Sequence, residues 1–182
     1  MKKVKVLLAA LLSATVVLGT AVPTQAASST VDIEVKATDM DNVSVTVPSS
    51  IPIVFHADGT NTLPTNWTIE NKSTIAGIHL ANIEMNAGTS GWKLLSSSHN
   101  VKEMSVDTKS IQFSVGLEGN LQLVAPTNGD EDGTGSVSFG KTDISIPSGE
   151  TKSLAFHVER GAFTNSEASA KAFDMVLTFN FN

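Results

Sequence analysis

The sequence predicts an all-β domain, an antiparallel β-sandwich of the Greek-key or jelly-roll kind, following an N-terminal signal peptide. Three observations carry this reading. Apolar and polar residues alternate at period two through most of the chain after residue 27, the mark of half-buried strands. Turn-forming clusters of Gly, Pro, Asn, Asp and Ser recur about every 8–12 residues, a spacing typical of sandwiches. The last segment sets Phe173, Met175, Leu177, Phe179 and Phe181 against Ala172, Asp174, Val176, Thr178 and Asn180. A face with five apolar residues should line the core between two sheets.

The leader comes first. Lys2, Lys3 and Lys5 precede an apolar run from Val6 to Val22, and Pro23 ends it before the small residues Thr24 and Ala26. A basic head, an apolar middle and a small-residue cleavage site make a secretory signal peptide, with cleavage after Ala26. About 17 apolar residues would barely span a bilayer, and no basic flank follows, so no membrane attachment is expected after cleavage. Residues 27–182 then form one domain. Loss of the three leader lysines leaves nine basic residues against 18 acidic ones, a net charge of −9.

Along this domain, Val31, Ile33 and Val35 alternate with Asp32, Glu34 and Lys36, and Val43, Val45 and Val47 repeat the pattern up to Pro48. Ile51 to His56 forms a further run, closed by a turn at residues 57–60. Trp67 and Ile69 belong to the next strand. Ile78 and Leu80 are followed out of phase by Ile83 and Met85, a one-residue slip that places a β-bulge near Ala81-Asn82. Strands are also expected over residues 91–96, 111–117, 121–124, 136–139, 142–146, 152–160 and 172–181. Only Thr164–Lys171 has the pattern of a helical turn, with Asn165 or Ser166 as its cap.

The composition excludes several chemistries. The acidic charge opposes general nucleic-acid binding, which needs a basic stripe. With no cysteine, the chain has no disulfide, thiolate metal site or cysteine nucleophile. Hydrophobic residues at 41% and charged residues at 16% fit a folded chain rather than a disordered one. No His-Glu-x-x-His, Gly-x-Ser-x-Gly or P-loop pattern is present. His56, His79 and His157 fall on strands as solvent-facing positions. No acid/base pair or nucleophile stands out, so an enzyme is not expected.

Asn128-Gly129-Asp130-Glu131-Asp132-Gly133 matches the first half of a calcium loop, with Asn128, Asp130 and Asp132 as alternating oxygen ligands. The second half fails, because the twelfth position is Phe139 rather than a bidentate Glu. Calcium is therefore the one cofactor to weigh, against a solvated acidic hairpin tip. Three Asn-x-Ser/Thr triplets begin at Asn42, Asn66 and Asn71. Trp67 and Trp92 are expected in the core, with stacking on sugar rings the alternative.

Gly91-Trp92-Lys93-Leu94 and the closing Leu177-Thr178-Phe179-Asn180-Phe181 resemble the two motifs of the WxL surface domain of low-GC Gram-positive bacteria. That family carries a Trp-x-Leu after a glycine, then a Leu-Thr-Trp-x-Leu-like motif in its final strand. Here Phe179 stands in place of the second Trp, and Phe181 in place of its Leu. The early Val47-Pro48 segment also looks like the family's, although its Phe-Gly is spread over residues 55–59. The resemblance implies a secreted β-sandwich held non-covalently on peptidoglycan and working with other surface proteins. Trp92, Leu94, Leu177 and Phe179 are its motif positions, whereas the residue pattern alone reads them as core.

The function expected is that of an exported, non-enzymatic cell-surface domain binding cell-wall glycan or surface proteins in adhesion. The alternative is a structural subunit of a biofilm fibre, assembling through residues 28–38. That strand is expected to pair within its own domain, since sequential elements usually neighbour each other. A free edge on a neighbouring copy would be its other partner.

Overall fold

The computed structural model describes residues 27–37, 44–56, 60–164 and 170–182. The leader, the turn at 57–59 and most of the expected helical turn at 164–171 lie outside them. Among the described residues no helix is long and apolar enough to cross a membrane.

The chain is a β-sandwich. Its strands are β1 (Ala27–Ala37), β2 (Val45–Thr46), β3 (Ser50–Phe55), β4 (Asn61–Thr62), β5 (Trp67–Asn71), β6 (Ile78–Ala87), β7 (Lys93–Leu95) and β8 (Ser110–Leu117). There follow β9 (Asn120–Leu123), β10 (Ala125–Pro126), β11 (Glu131–Asp132), β12 (Thr134–Ser138), β13 (Ser145–Ile146), β14 (Thr151–Arg160) and β15 (Ala170–Phe181). One sheet has the order β10-β12-β6-β15-β1-β3-β4, with β13 also on β6. The other runs β11-β7-β8-β14-β5-β2, with β9 also on β8.

Among the described residues pairing is antiparallel except at two places. β7 and β8 run parallel, which requires a crossover of a dozen or more residues. Residues 96–109 supply it and include a short 3₁₀ turn, Val101–Glu103, capped by the Asn100 side chain. β1 and β15, the first and last strands, also run parallel, from Ser29 opposite Ala170 to Ala37 opposite Phe179. On its other side β1 pairs antiparallel with β3. The first strand thus pairs within its own domain, as expected, at an interior position of the sheet.

The apolar alternation read from the sequence becomes the core. Ile51, Ile53, Ile69, Ile83, Met85, Phe113, Val115, Phe173, Met175, Leu177 and Phe179 are all buried in one cluster. The expected bulge is present: Thr178 faces Asn82 and Phe179 faces Leu80, so Ala81 is left over. By shifting phase there, β6 buries Ile78 and Leu80 as well as Ile83 and Met85.

The strand expected over residues 142–146 is a turn through Ile144, with Ser145–Ile146 alone extended, and two side chains also differ from expectation. Phe181, expected as the fifth core residue of its strand, is 45% exposed. It sits on the last rung of the β15–β6 ladder, opposite Ile78, past the end of the core. His79, expected in solvent, is buried, with its Nδ1 3.1 Å from Asn182 Oδ1. Its neighbours Ile78 and Leu80 are buried too, because the strand is covered on both faces before the bulge.

Candidate functional site

The Trp-x-Leu segment starts at Gly91, whose φ of +76° is a left-handed conformation that favours glycine. Trp92 then turns inward. Its ring lies 5.6 Å from Phe55 and 5.7 Å from Phe163, centroid to centroid. The Arg160 guanidinium stands over the Phe55 and Phe163 rings, 4.8 and 5.0 Å from their centroids, in cation–π range. It also donates to the His56 carbonyl at 2.7 Å. Leu94, Leu177 and Phe179 have no exposed surface. All four motif positions are therefore core residues, Leu177 and Phe179 on β15, Leu94 on β7 and Trp92 just before it. Trp67 is likewise buried, edge-on to Phe156.

What the motif strand presents to solvent is the acidic hairpin docked on it. β11 pairs with β7, setting Asp132 opposite Leu94 and Glu131 opposite Leu95. Gly135 on β12 leaves room for the Leu94 side chain: a Cβ there would lie 2.5 Å from Leu94 Cδ1 and 2.7 Å from the Ala125 carbonyl. The two segments singled out from the sequence, 92–94 and 128–132, thus form one structural unit.

Within the hairpin, each carboxylate has its own donors. Asp132 Oδ2 accepts from the Asn128 backbone N–H at 3.1 Å, the Asn128 amide at 2.7 Å and the Thr134 hydroxyl at 2.9 Å. Asp130 Oδ1 accepts from the Ser96 and Ser98 hydroxyls, each at 3.0 Å. Glu131 accepts from Ser110 at 2.7 Å and pairs with Lys93 at 3.7 Å. Gln112 fixes the serine loop by donating to the Ser96 and His99 carbonyls. Hydrogen bonds from Ser98 and Ser96, with a smaller contribution from His99, hold the Asp130 carboxyl below its ordinary value of 3.8. Thr134 and Asn128 do the same for Asp132.

This arrangement answers two chemical questions. The serine hydroxyls bond directly to Asp130, whereas a nucleophilic triad interposes an imidazole between hydroxyl and carboxylate. As for calcium, the three ligands expected from the sequence share one turn, but Asn128 is bonded to Asp132 while Asp130 is turned to the serines. Among the described residues no three His, Cys, Asp or Glu side chains group to hold a metal.

Reading the sequence alone missed the partners of the hairpin. The Ser96-Ser97-Ser98 run was its only trace, and nothing local tied it to Asp130 across more than thirty positions. Asn71, one of the Asn-x-Ser positions, is also not a surface residue. It is fully buried, donating to the carbonyls of Ala76, Ile146 and Pro147 and accepting from Ser73 N–H.

No protein family, curated protein or solved structure matches this chain.

Proposed function

We propose that the chain is an exported, non-enzymatic cell-surface β-sandwich that binds cell-wall glycan or a surface partner through the acidic hairpin carried on its Trp-x-Leu strand. The observation behind this reading is the set of carboxylate and hydroxyl oxygens of the exposed Asp130 and Ser98 and the half-buried Asp132 and Ser96, oriented in advance by side-chain hydrogen bonds. Preorganised acceptors bind sugar hydroxyls or basic side chains at a reduced entropic cost. The net charge of −9 opposes anionic wall polymers. The ligand is therefore a neutral glycan or a basic protein face, or an anionic polymer bridged by calcium once Asp130 turns from Ser96 and Ser98 towards Asn128 and Asp132. Residues 1–26 serve as the export signal, and attachment to the wall is non-covalent.

Capture of residues 27–182 on purified peptidoglycan, with calcium and with chelator, tests this. Binding that drops at least tenfold in the Asp130→Ala/Asp132→Ala double variant supports the hairpin as the contact. Loss with chelator alone assigns the bridge to calcium. Binding to neither peptidoglycan nor intact cells, with the protein wholly in the medium, rejects the reading.

A further inference from the structure

In the sheet that contains β15, β1 lies between β15 and β3. Among the described residues β3 and β4 join the remainder of that sheet through β1 and through no other strand. The ladders fix the strand on both sides, from Ser29–Ala170 to Ala37–Phe179 and from Ala27–Phe55 to Asp32–Ser50. Their register sets Val31, Ile33 and Val35 opposite Phe173, Met175 and Leu177, which are wholly buried.

Both walls of this position are braced by contacts that do not involve β1. β15 is laddered to β6 over its length, from Phe173–Ala87 to Phe181–Ile78. The β3–β4 hairpin is tied to the opposite sheet. Asn61 Nδ2 donates to the Val158 carbonyl at 2.8 Å, Arg160 donates to the His56 carbonyl at 2.7 Å, and Phe55 packs on Trp92. Withdrawing β1 would therefore leave a slot one strand wide, with two backbone edges and an apolar floor.

No other position in the sandwich suits an incoming strand so well. Among the described residues the strands with one ladder partner are short, two residues each in β10, β4, β11, β2 and β13 and four in β9, and short edges give a foreign strand little to pair with. The segment whose length and register match the slot is residues 27–37 of a second copy. In that place it would make the same ladders as the native strand, so exchange preserves the contacts and is governed by concentration.

We propose that copies of this chain associate by strand exchange, β1 of one molecule entering the slot between β15 and β3 of the next. Strand and slot are different surfaces, so the contact is heterologous and propagates head to tail where it does not close. The seven residues between Ala37 and Val45 reach about 25 Å at most, so exchanging copies dock closely.

The absence of cysteine gives a clean reporter. Lys36 and Thr178 are register partners. Chains from residue 27 carrying Lys36→Cys or Thr178→Cys are unfolded, mixed, refolded and oxidised. The expected result is a covalent dimer several-fold more abundant in the mixture than in either variant alone. The double variant should yield multimers that increase with refolding concentration. The unsubstituted chain, refolded over the same range and sized by light scattering, needs no substitution to fold and should show the same growth. Only closed monomer from the double variant, together with a purely monomeric unsubstituted chain at every concentration, overturns the proposal. Peptidoglycan capture is a separate measurement, so either proposal can fail without the other.

Discussion

Leu94 and Asp132 stand opposite each other across β7 and β11, so the strand that directly follows the buried Trp92 also carries the acidic hairpin. The apolar side chains of this unit fix where the polar ones emerge. A change in the core beneath should thus reach the hairpin as a displacement, whereas a change in the hairpin carboxylates should leave the core in place.

Trp92→Ala should destabilise the fold by about 3–5 kcal/mol, the usual cost of emptying a buried aromatic site. Trp92→Phe should cost clearly less. Urea unfolding measures both, and a loss below about 1 kcal/mol for the alanine variant would contradict the packing against Phe55 and Phe163.

Asn71→Ala should cost at least about 2 kcal/mol, since it removes the donor shared by three carbonyls and the acceptor for Ser73 N–H, all in a buried site. Asn66→Ala, at an exposed position, should be near neutral. Parallel thermal melts of the two variants check the contrast.

Gly135→Ala should destabilise by about 1–3 kcal/mol through overpacking. Trimming the neighbour in a Gly135→Ala/Leu94→Ala double variant should not restore stability, because the Ala125 carbonyl remains 2.7 Å from the new methyl. Recovery to the level of Leu94→Ala alone, measured by urea unfolding, would show that the side chain was the sole obstacle.

Acid should weaken the hairpin first. Asp130 and Asp132 have carboxyls held below 3.8 in the folded chain. The unfolded chain therefore takes up protons first as pH falls. Their contribution is fully present above the ordinary carboxylate value and is lost as pH drops through the lower folded values. Stability plotted against pH should fall below about pH 4, and the Asp130→Asn/Asp132→Asn double variant should flatten that part of the curve.

Much of the fold was legible because period-two alternation is a local signal. The bulge at Ala81 could be read from a single slip between Leu80 and Ile83, and the inward faces of β3, β5 and β15 from their own residues. Two kinds of feature were not. The parallel partnership of β1 with β15 joins opposite ends of the chain, and no residue near either strand encodes it. Burial at the end of a strand depends on what lies opposite, so Phe181 has the same alternation as Phe179 and a different environment. The candidate site shows the same division. Asn128, Asp130 and Asp132 announced a polar turn, but their hydrogen-bond partners come from the 96–98 loop and from the core of that turn. Trp92, Leu94, Leu177 and Phe179 formed a motif whose core role followed from alternation.

The parallel course of β1 and β15 also gives the molecule a polarity. Ala27 lies beside the start of β15, at the end where Gly133 accepts from Ala87 N–H and the acidic hairpin emerges. Asn182 lies at the far end, against Gly77 and Ser145. A molecule tethered through residue 182 therefore presents its hairpin outward, while one tethered through residue 27 brings that same end against the support.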